Sequence, residues 1–225
     1  MEKELIPVLQ DINKKLKKFY SDKKRTKYEE LIKEIIEAYT ALDIPEERID
    51  IYDSLVSRGK ELIKDVNMKD NKKVEFYLGY CRAAIFDFND NVKPLATILK
   101  LFLLTAALFF VLSPQNFSFV LPIVFFLPVF MGFRGIRNRQ FNGLFIGLSI
   151  VPMAILVSIV WIRNAILTIS TGTFGDFING LAQSYNVSFE FSRNLAIVFI
   201  FMSVVMMVSS ISFLIYGIKY RKMFI

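Results

Sequence analysis

The stretch Arg134-Gly135-Ile136-Arg137-Asn138-Arg139 is a short basic segment between two long apolar runs. Short loops rich in lysine and arginine stay on the cytoplasmic side of a membrane, so these arginines orient the segments on either side. Together with the apolar runs on either side of it, this basic segment predicts an all-α membrane protein. In this fold an N-terminal cytoplasmic helical bundle is followed by four transmembrane helices, and both termini are cytoplasmic.

The composition of the chain differs sharply between its two halves. Over all 225 residues the chain is 54% hydrophobic with a mean hydropathy of +0.43, which is too apolar for an ordinary soluble protein. Residues 1–92 carry 18 Lys/Arg and 19 Asp/Glu, whereas residues 93–225 carry 10 Lys/Arg and 2 Asp/Glu. The basic surplus lies in the membrane half, so it indicates membrane topology and predicts no nucleic-acid partner.

The residue types on which most enzymes depend are scarce in this chain. Histidine is absent, which removes the commonest general base and the commonest metal ligand. Cys81 is the only cysteine, which excludes an intrachain disulfide. We therefore expect no metal, no cofactor and no enzymatic activity.

Residues 1–92 have the apolar periodicity of amphipathic helices. Apolar residues recur there at steps of three and four, which places them on one face of each helix. Four such helices with short connections predict an antiparallel bundle. The predicted core stripes are Leu5, Leu9, Ile12, Leu16 and Phe19; Tyr28, Leu31, Ile35, Tyr39 and Leu42; Ile49, Tyr52, Leu55, Leu62 and Val66; and Val74, Tyr77, Cys81, Ile85 and Phe88.

The fourth of these helices is apolar around more of its circumference than the others. Phe76, Leu78, Tyr80 and Phe86 lie off its predicted stripe. A helix of this kind is central in a bundle or packs against something further, such as the membrane face or a neighbouring subunit. Residues 1–92 are thus expected to bind a protein partner or to form a homo-oligomer, and an oligomerising coiled coil is one alternative use of the stripes.

Residues 93–225 form the predicted transmembrane domain. Its spans are predicted at about 94–112, 117–133, 141–162 and 194–218, with one long outer loop at 163–193. With the N-terminus inside, the charges at the cytoplasmic end sum to +8 and those outside sum to zero. The eight cytoplasmic cations are Lys93, Lys100, Arg134, Arg137, Arg139, Lys219, Arg221 and Lys222. A multi-pass protein of the cell membrane is predicted, with anionic lipid headgroups bound at this end.

Three features of the membrane half suggest packing or transport. Gly143 and Gly147 form a G-x-x-x-G pair that lets another helix approach closely. The hydroxyls of Ser203, Ser209 and Ser210 supply polar groups in the last span. The third feature lies in the outer loop, where Thr171-Gly172-Thr173-Phe174-Gly175-Asp176 differs from a potassium-channel filter by the threonine at 173 in place of a required glycine. These side chains are the candidate pore or outer-loop site.

Three functions follow from these observations. The first is a non-enzymatic interaction, scaffold or regulatory component that acts through its cytoplasmic helical domain. The alternative is an oligomeric channel or passive transporter, with pore elements in the third and fourth spans and at residues 171–176. The third is an enzyme acting on lipids, in which Arg134, Arg137 and Arg139 hold a phosphate group; positive-inside topology already explains these arginines.

Overall fold

The computed structural model describes residues 4–19, 22–64 and 71–225. Across these ranges the chain is helical and has no strand, so the prediction of an all-α protein is confirmed. Two compact units are present: unit 1 is Met1–Lys93 with Lys222–Ile225, and unit 2 is Pro94–Arg221. The helices are α1 Leu5–Phe19, α2 Asp22–Thr40, α3 Ile49–Lys64, α4 Asn71–Phe88, α5 Lys93–Leu112, α6 Pro114–Phe117, α7 Val120–Arg137, α8 Phe141–Leu148, α9 Ile150–Ser170, α10 Phe174–Tyr185 and α11 Phe189–Lys219.

Helices α1 to α4 share the hydrophobic core of unit 1. In α1 the predicted stripe is buried, and Leu5, Leu9 and Ile12 have no exposed surface. The alternating steps of four and three residues keep these side chains on one face, which packs against both α2 and α3. Of the other predicted stripe residues, Val66 and the side chain of Phe19 lie outside the part of the chain that the structure describes.

Several details of the predicted stripes differ in the structure. In α3, Ile49 and Leu62 are only partly buried. In α2 the core position is Ile32, which is fully buried, whereas Leu31 is only partly buried. In α4 Leu78 is fully buried although it was predicted off the stripe, and Ile85 is only partly buried. Helix α4 packs against both α2 and α3, which widens its buried face beyond a single stripe.

Tyrosine hydroxyls satisfy backbone groups inside the unit 1 core. The Tyr39 hydroxyl donates a hydrogen bond of 2.9 Å to the carbonyl oxygen of Cys81, which joins α2 to α4. The Tyr52 hydroxyl accepts a 3.0 Å bond from the amide of Leu5, a group at the start of α1 that has no partner within the helix. These bonds fix the positions of helices that are distant in sequence, within a core that is otherwise apolar.

Gly59 is a packing requirement of α3 rather than a weak point in it. A Cβ atom added at Gly59 would lie 2.2 Å from the Tyr77 hydroxyl and 2.5 Å from the Cγ1 atom of Val8. The Tyr77 hydroxyl donates a 3.1 Å bond to the carbonyl oxygen of Leu55. The absent side chain therefore lets α1, α3 and α4 meet at one point.

Unit 2 contains four helical segments that are long and apolar enough to cross a membrane. Among the described residues these candidate spans are Lys93–Leu112, Val120–Arg137, Phe141–Ser170 and Phe189–Lys219. Their lengths of 18 to 31 residues and their hydropathy support a membrane-spanning protein. The Phe141–Ser170 segment is interrupted at Ser149, because Pro152 lacks the amide that would bond to the carbonyl of Leu148.

The predicted outer loop at 163–193 is mostly helical. Helix α9 continues past Ile162 to Ser170, since a single arginine at position 163 does not end a helix. At the other side, α11 begins at Phe189, where Ser188 caps it by accepting a 3.3 Å hydrogen bond from the amide of Phe191. Helix α10 fills much of the remaining segment.

Candidate functional site

Contacts between side chains show the relative directions of the helices in unit 2. The Thr105 hydroxyl of α5 is 3.0 Å from the Ser209 hydroxyl of α11. Nearer the start of α5, the Phe102 ring centroid is 5.5 Å from that of Phe213. At its far end, the indole of Trp161 in α9 donates a 3.2 Å hydrogen bond to the carbonyl oxygen of Leu112. Helices α5 and α11 therefore run in opposite directions, because later positions of α5 meet earlier positions of α11.

The predicted cytoplasmic cations within unit 2 lie at one end of it. A Cβ atom added at Gly217, near the end of α11, would lie 3.4 Å from Leu144, near the start of α8. The basic turn that precedes α8 is therefore at the same end as Lys219 and Arg221. Lys100, Arg134, Arg137, Arg139, Lys219 and Arg221 give this end six positive charges, whereas Arg163, Arg193, Asp176 and Glu190 sum to zero at the other.

The side chains of this basic end differ in their exposure. Arg134 and Arg137, in the last turn of α7, are exposed, and Arg139 is half-buried with a positive φ of 54°. Cations in the last turn of a helix are stabilised by its negative end. Lys222 belongs to unit 1, where it forms an ion pair with Glu34.

Gly143 and Gly147 pack against a second glycine pair in the same chain. A Cβ atom added at Gly143 would lie 2.2 Å from the Cα atom of Gly135, and one added at Gly132 would lie 2.8 Å from the Cα atom of Gly147. Helices α7 and α8 thus form a hairpin whose backbones touch. The Gly132 and Gly135 pair was missed in the sequence, although its position just before the basic turn was available as a signal.

The serines proposed as pore elements are buried in the packed interior of unit 2. Ser203, Ser209 and Ser210 are at most 3% exposed. The Ser210 hydroxyl donates to the carbonyl oxygen of Met206 at 2.6 Å, and that of Ser203 donates to Ile200 at 2.6 Å. Small residues at these positions let helices approach closely, and α9 and α11 form one of the main contacts of the unit.

The outer segment 171–176 forms a corner between two helices. Thr171 ends α9, and its hydroxyl donates a 2.7 Å bond to the carbonyl oxygen of Leu167. Gly172 has a φ of +71°, which suits the turn, and Thr173 occupies the N-cap position of α10 without making a side-chain capping bond. Gly175 and Asp176 are exposed in the first turn of α10. A filter needs a row of carbonyls turned inward, whereas this segment turns from one helix into the next.

The surface of unit 1 carries an aromatic patch formed by Arg58, Phe76 and Tyr80. The Phe76 and Tyr80 rings meet edge to face with centroids 4.9 Å apart, and the Arg58 guanidinium lies 5.2 Å from the Tyr80 centroid. These residues line a cleft of about 290 Å³ between α3 and α4, together with Glu61, Leu62, Lys73 and Tyr77. The Phe76 side chain is 55% exposed. The sequence pattern places Phe76 and Tyr80 off the core stripe of α4 but does not predict their pairing with Arg58.

Cys81 lies in the core and is chemically protected there. Its side chain has no exposed surface, and burial raises the pKa of its thiol to about 12. A thiol with so high a pKa is protonated at neutral pH, and the thiolate is the reactive form. The arrangement therefore suits packing and does not provide a nucleophile.

No protein-family model, curated protein or solved structure matches the chain. Function is therefore argued from the chemistry of the site. Within residues 4–19, 22–64 and 71–225, no three acidic or cysteine side chains converge on a point where they would hold a metal ion.

Proposed function

We propose that this protein is a non-enzymatic interaction component of the cell membrane, in which unit 1 binds a protein partner or another copy of the chain. The aromatic patch of Arg58, Phe76 and Tyr80 is the observation that carries this proposal. Arginine and aromatic side chains are enriched at the energetically dominant centres of protein interfaces. An arginine over a tyrosine, beside an exposed phenylalanine, provides both an apolar anchor and a hydrogen-bonding group.

The rest of the unit 1 surface makes the patch distinctive. Among the described residues of unit 1, Ile51 and Phe76 are the large hydrophobic side chains that are strongly exposed, at 43% and 55%. Exposed apolar side chains in unit 2 suit contact with lipid, but those of unit 1 have no such explanation if the unit faces water. Phe76 also has neighbours that form a cleft, whereas Ile51 is not among the residues that line it.

The proposed topology places unit 1 in the cytoplasm. The basic end of unit 2 carries six positive charges against zero at the other end, and cationic ends of spans remain cytoplasmic. The chain passes from unit 1 into unit 2 at Lys93–Pro94 and returns to unit 1 at Arg221–Lys222. The first connection lies at the start of the first span, and the second follows the end of the last span. Anionic lipid headgroups would bind the exposed arginines of this end.

The channel alternative has less support from the geometry. The hydroxyls of Ser203, Ser209 and Ser210 all have partners within the chain, and residues 171–176 turn between helices. A flux assay in liposomes decides this point. Ion or solute flux above that of empty liposomes would favour a channel, and its absence would favour the interaction proposal.

Site-specific photo-crosslinking in cells tests the interaction proposal. A photoreactive amino acid at Lys73, which lines the cleft, is expected to give a discrete adduct, and one at the exposed Lys33 of α2 serves as the control. The adduct should be lost in Phe76→Ala and Arg58→Ala chains and retained in Ile51→Ala. Its mass separates a second copy of the chain from another protein. Equal adducts at both positions, or adducts insensitive to Phe76→Ala, would contradict the proposal.

A further inference from the structure

The last four residues of the chain, Lys222-Met223-Phe224-Ile225, pack in unit 1. We call them the tail. They follow α11 after only two further residues, yet their contacts place them in unit 1. Met223 has no exposed surface, and Phe224 is 2% exposed. A segment with two large apolar side chains fully buried is packed rather than loose.

Two contacts locate the tail on unit 1. The Lys222 ammonium group forms an ion pair with the Glu34 carboxylate of α2. A Cβ atom added at Gly79 of α4 would lie 3.6 Å from the Cγ2 atom of Ile225. Helices α2 and α4 are neighbours in unit 1, so the tail lies across their adjoining surfaces.

The face of α4 that the tail contacts is not its core face. Gly79 is two residues before the buried Cys81, so at 100° per residue it points about 160° away from it. Ala83, one turn after Gly79, is 3% exposed although it does not belong to the unit 1 core cluster. Gly79 and Ala83 therefore place little side-chain bulk on this face. The tail thus contacts α4 on a face other than its core face.

The tail is attached in the manner of a short bound peptide. Its ion pair is half-exposed, with 44% of the Lys222 side chain and 51% of the Glu34 side chain accessible to water, so it adds selectivity more than strength. Met223 and Phe224 are the fully buried apolar side chains of the tail. One charge and two consecutive apolar anchors are sufficient chemistry for recognising a peptide segment.

We propose that the tail is an internal ligand of a peptide-binding groove between α2 and α4. A protein partner that presents a basic residue followed by two large apolar residues binds the same groove when the tail leaves it. This inference rests on the proposed function, in which unit 1 binds a protein, and it adds a second surface beside the aromatic patch. The tail then acts as an autoinhibitory occupant, since partner binding and tail release compete.

Peptide binding in detergent micelles tests the groove. The probe is a fluorescent peptide with the sequence of residues 219–225, and the acceptor is the full chain ended after Arg221. Saturable binding is expected, at least about tenfold tighter than to the intact chain, whose groove is occupied. A peptide carrying Phe224→Ala should bind no more than it does to empty micelles. Equal binding by intact and shortened chains, or no binding by either, would overturn the proposal.

Charge reversal provides a matched control for specificity. An acceptor with Glu34→Lys should bind the natural peptide more weakly and should recover binding with a peptide carrying Lys222→Glu. Lys33→Glu, on the neighbouring residue of α2, should leave the binding of both peptides unchanged. Binding that responds to total charge rather than to position 34 would overturn the assigned contact.

Hydrogen exchange of the intact chain gives a test that does not require the shortened form. The buried tail should be protected from exchange, whereas Gly79→Leu, which fills the groove, should release it and accelerate exchange in residues 222–225. Equal rates would refute the docking argument. If peptide binding fails while crosslinks at Lys73 still depend on Phe76, the groove is rejected and the proposed function stands. Loss of the crosslinks as well rejects both.

Discussion

Substitution of Gly143 by alanine tests the packing of the α7 and α8 hairpin. The added Cβ would lie 2.2 Å from the Gly135 Cα, whereas ordinary contact begins at 3.4 Å. The two backbones must therefore separate by about 1.2 Å at this point. Overpacking of this kind costs about 1–3 kcal/mol. The clash is with backbone, so the cost lies near the upper end of this range. Higher helix propensity of alanine returns up to about 1 kcal/mol, so Gly143→Ala should destabilise unit 2 by about 2 kcal/mol.

Gly180 provides a matched control in the same unit. It also lies inside a helix, α10, but an added Cβ would meet no atom within 4 Å. Gly180→Ala should therefore be neutral or stabilising by up to about 1 kcal/mol.

The assay is unfolding by SDS in mixed micelles, followed by the fluorescence of Trp161. This is the only tryptophan of the chain, and it is 4% exposed between Leu112 and Phe199 in unit 2. Its emission therefore reports the packing of the spans. A Gly143→Ala midpoint equal to that of the unchanged chain would refute the hairpin geometry. A midpoint that falls as much in Gly180→Ala would show that the effect is not one of close approach.

Three further predictions concern individual contacts. Gly59→Ala should destabilise unit 1 by about 1–3 kcal/mol in a denaturant titration, because the Tyr77 hydroxyl lies where the new Cβ would be; an unchanged midpoint would contradict this packing. Burial raises the pKa of the Cys81 thiol from 9.0 to about 12, so its contribution to stability is complete below pH 9.0 and is lost as the pH rises toward 12. Denaturant midpoints of unit 1 should fall over this range, and less steeply in Cys81→Ala; identical slopes would argue against the burial of the thiol. Thr105→Val should lower the free energy of unfolding in SDS by about 0.6 kcal/mol, because it removes the hydrogen bond to Ser209. A rise in the unfolding midpoint would show that the bond adds nothing.

The sequence predicts the helices well where the pattern is local. The spacing of Leu5, Leu9, Ile12 and Leu16 predicts a buried face, and the structure buries it. Span ends are harder to predict, because a charge such as Arg163 reads as a boundary although the helix continues to Ser170. The start of α11 had a readable signal in Ser188, a cap residue followed by an acid in the first turn.

Contacts between distant segments could not be predicted from the sequence. The pairing of Gly132 and Gly135 with the later glycines depends on a tight turn whose geometry no local pattern encodes. The ion pair between Lys222 and Glu34 joins residues that are 188 positions apart in the chain. The aromatic patch combines a residue of α3 with two of α4, and only their packing brings Arg58 over Tyr80.

Membrane topology is the central claim, and cysteine labelling on intact cells tests it most directly. Native Cys81 is fully buried and stays silent, so single reporters can be placed at Ser184→Cys in α10 and at Lys33→Cys in α2, both exposed positions. A membrane-impermeant maleimide is expected to label position 184 in intact cells and position 33 only after the membrane is permeabilised. Labelling of position 33 in intact cells, with position 184 protected until permeabilisation, would contradict the cytoplasmic placement of unit 1.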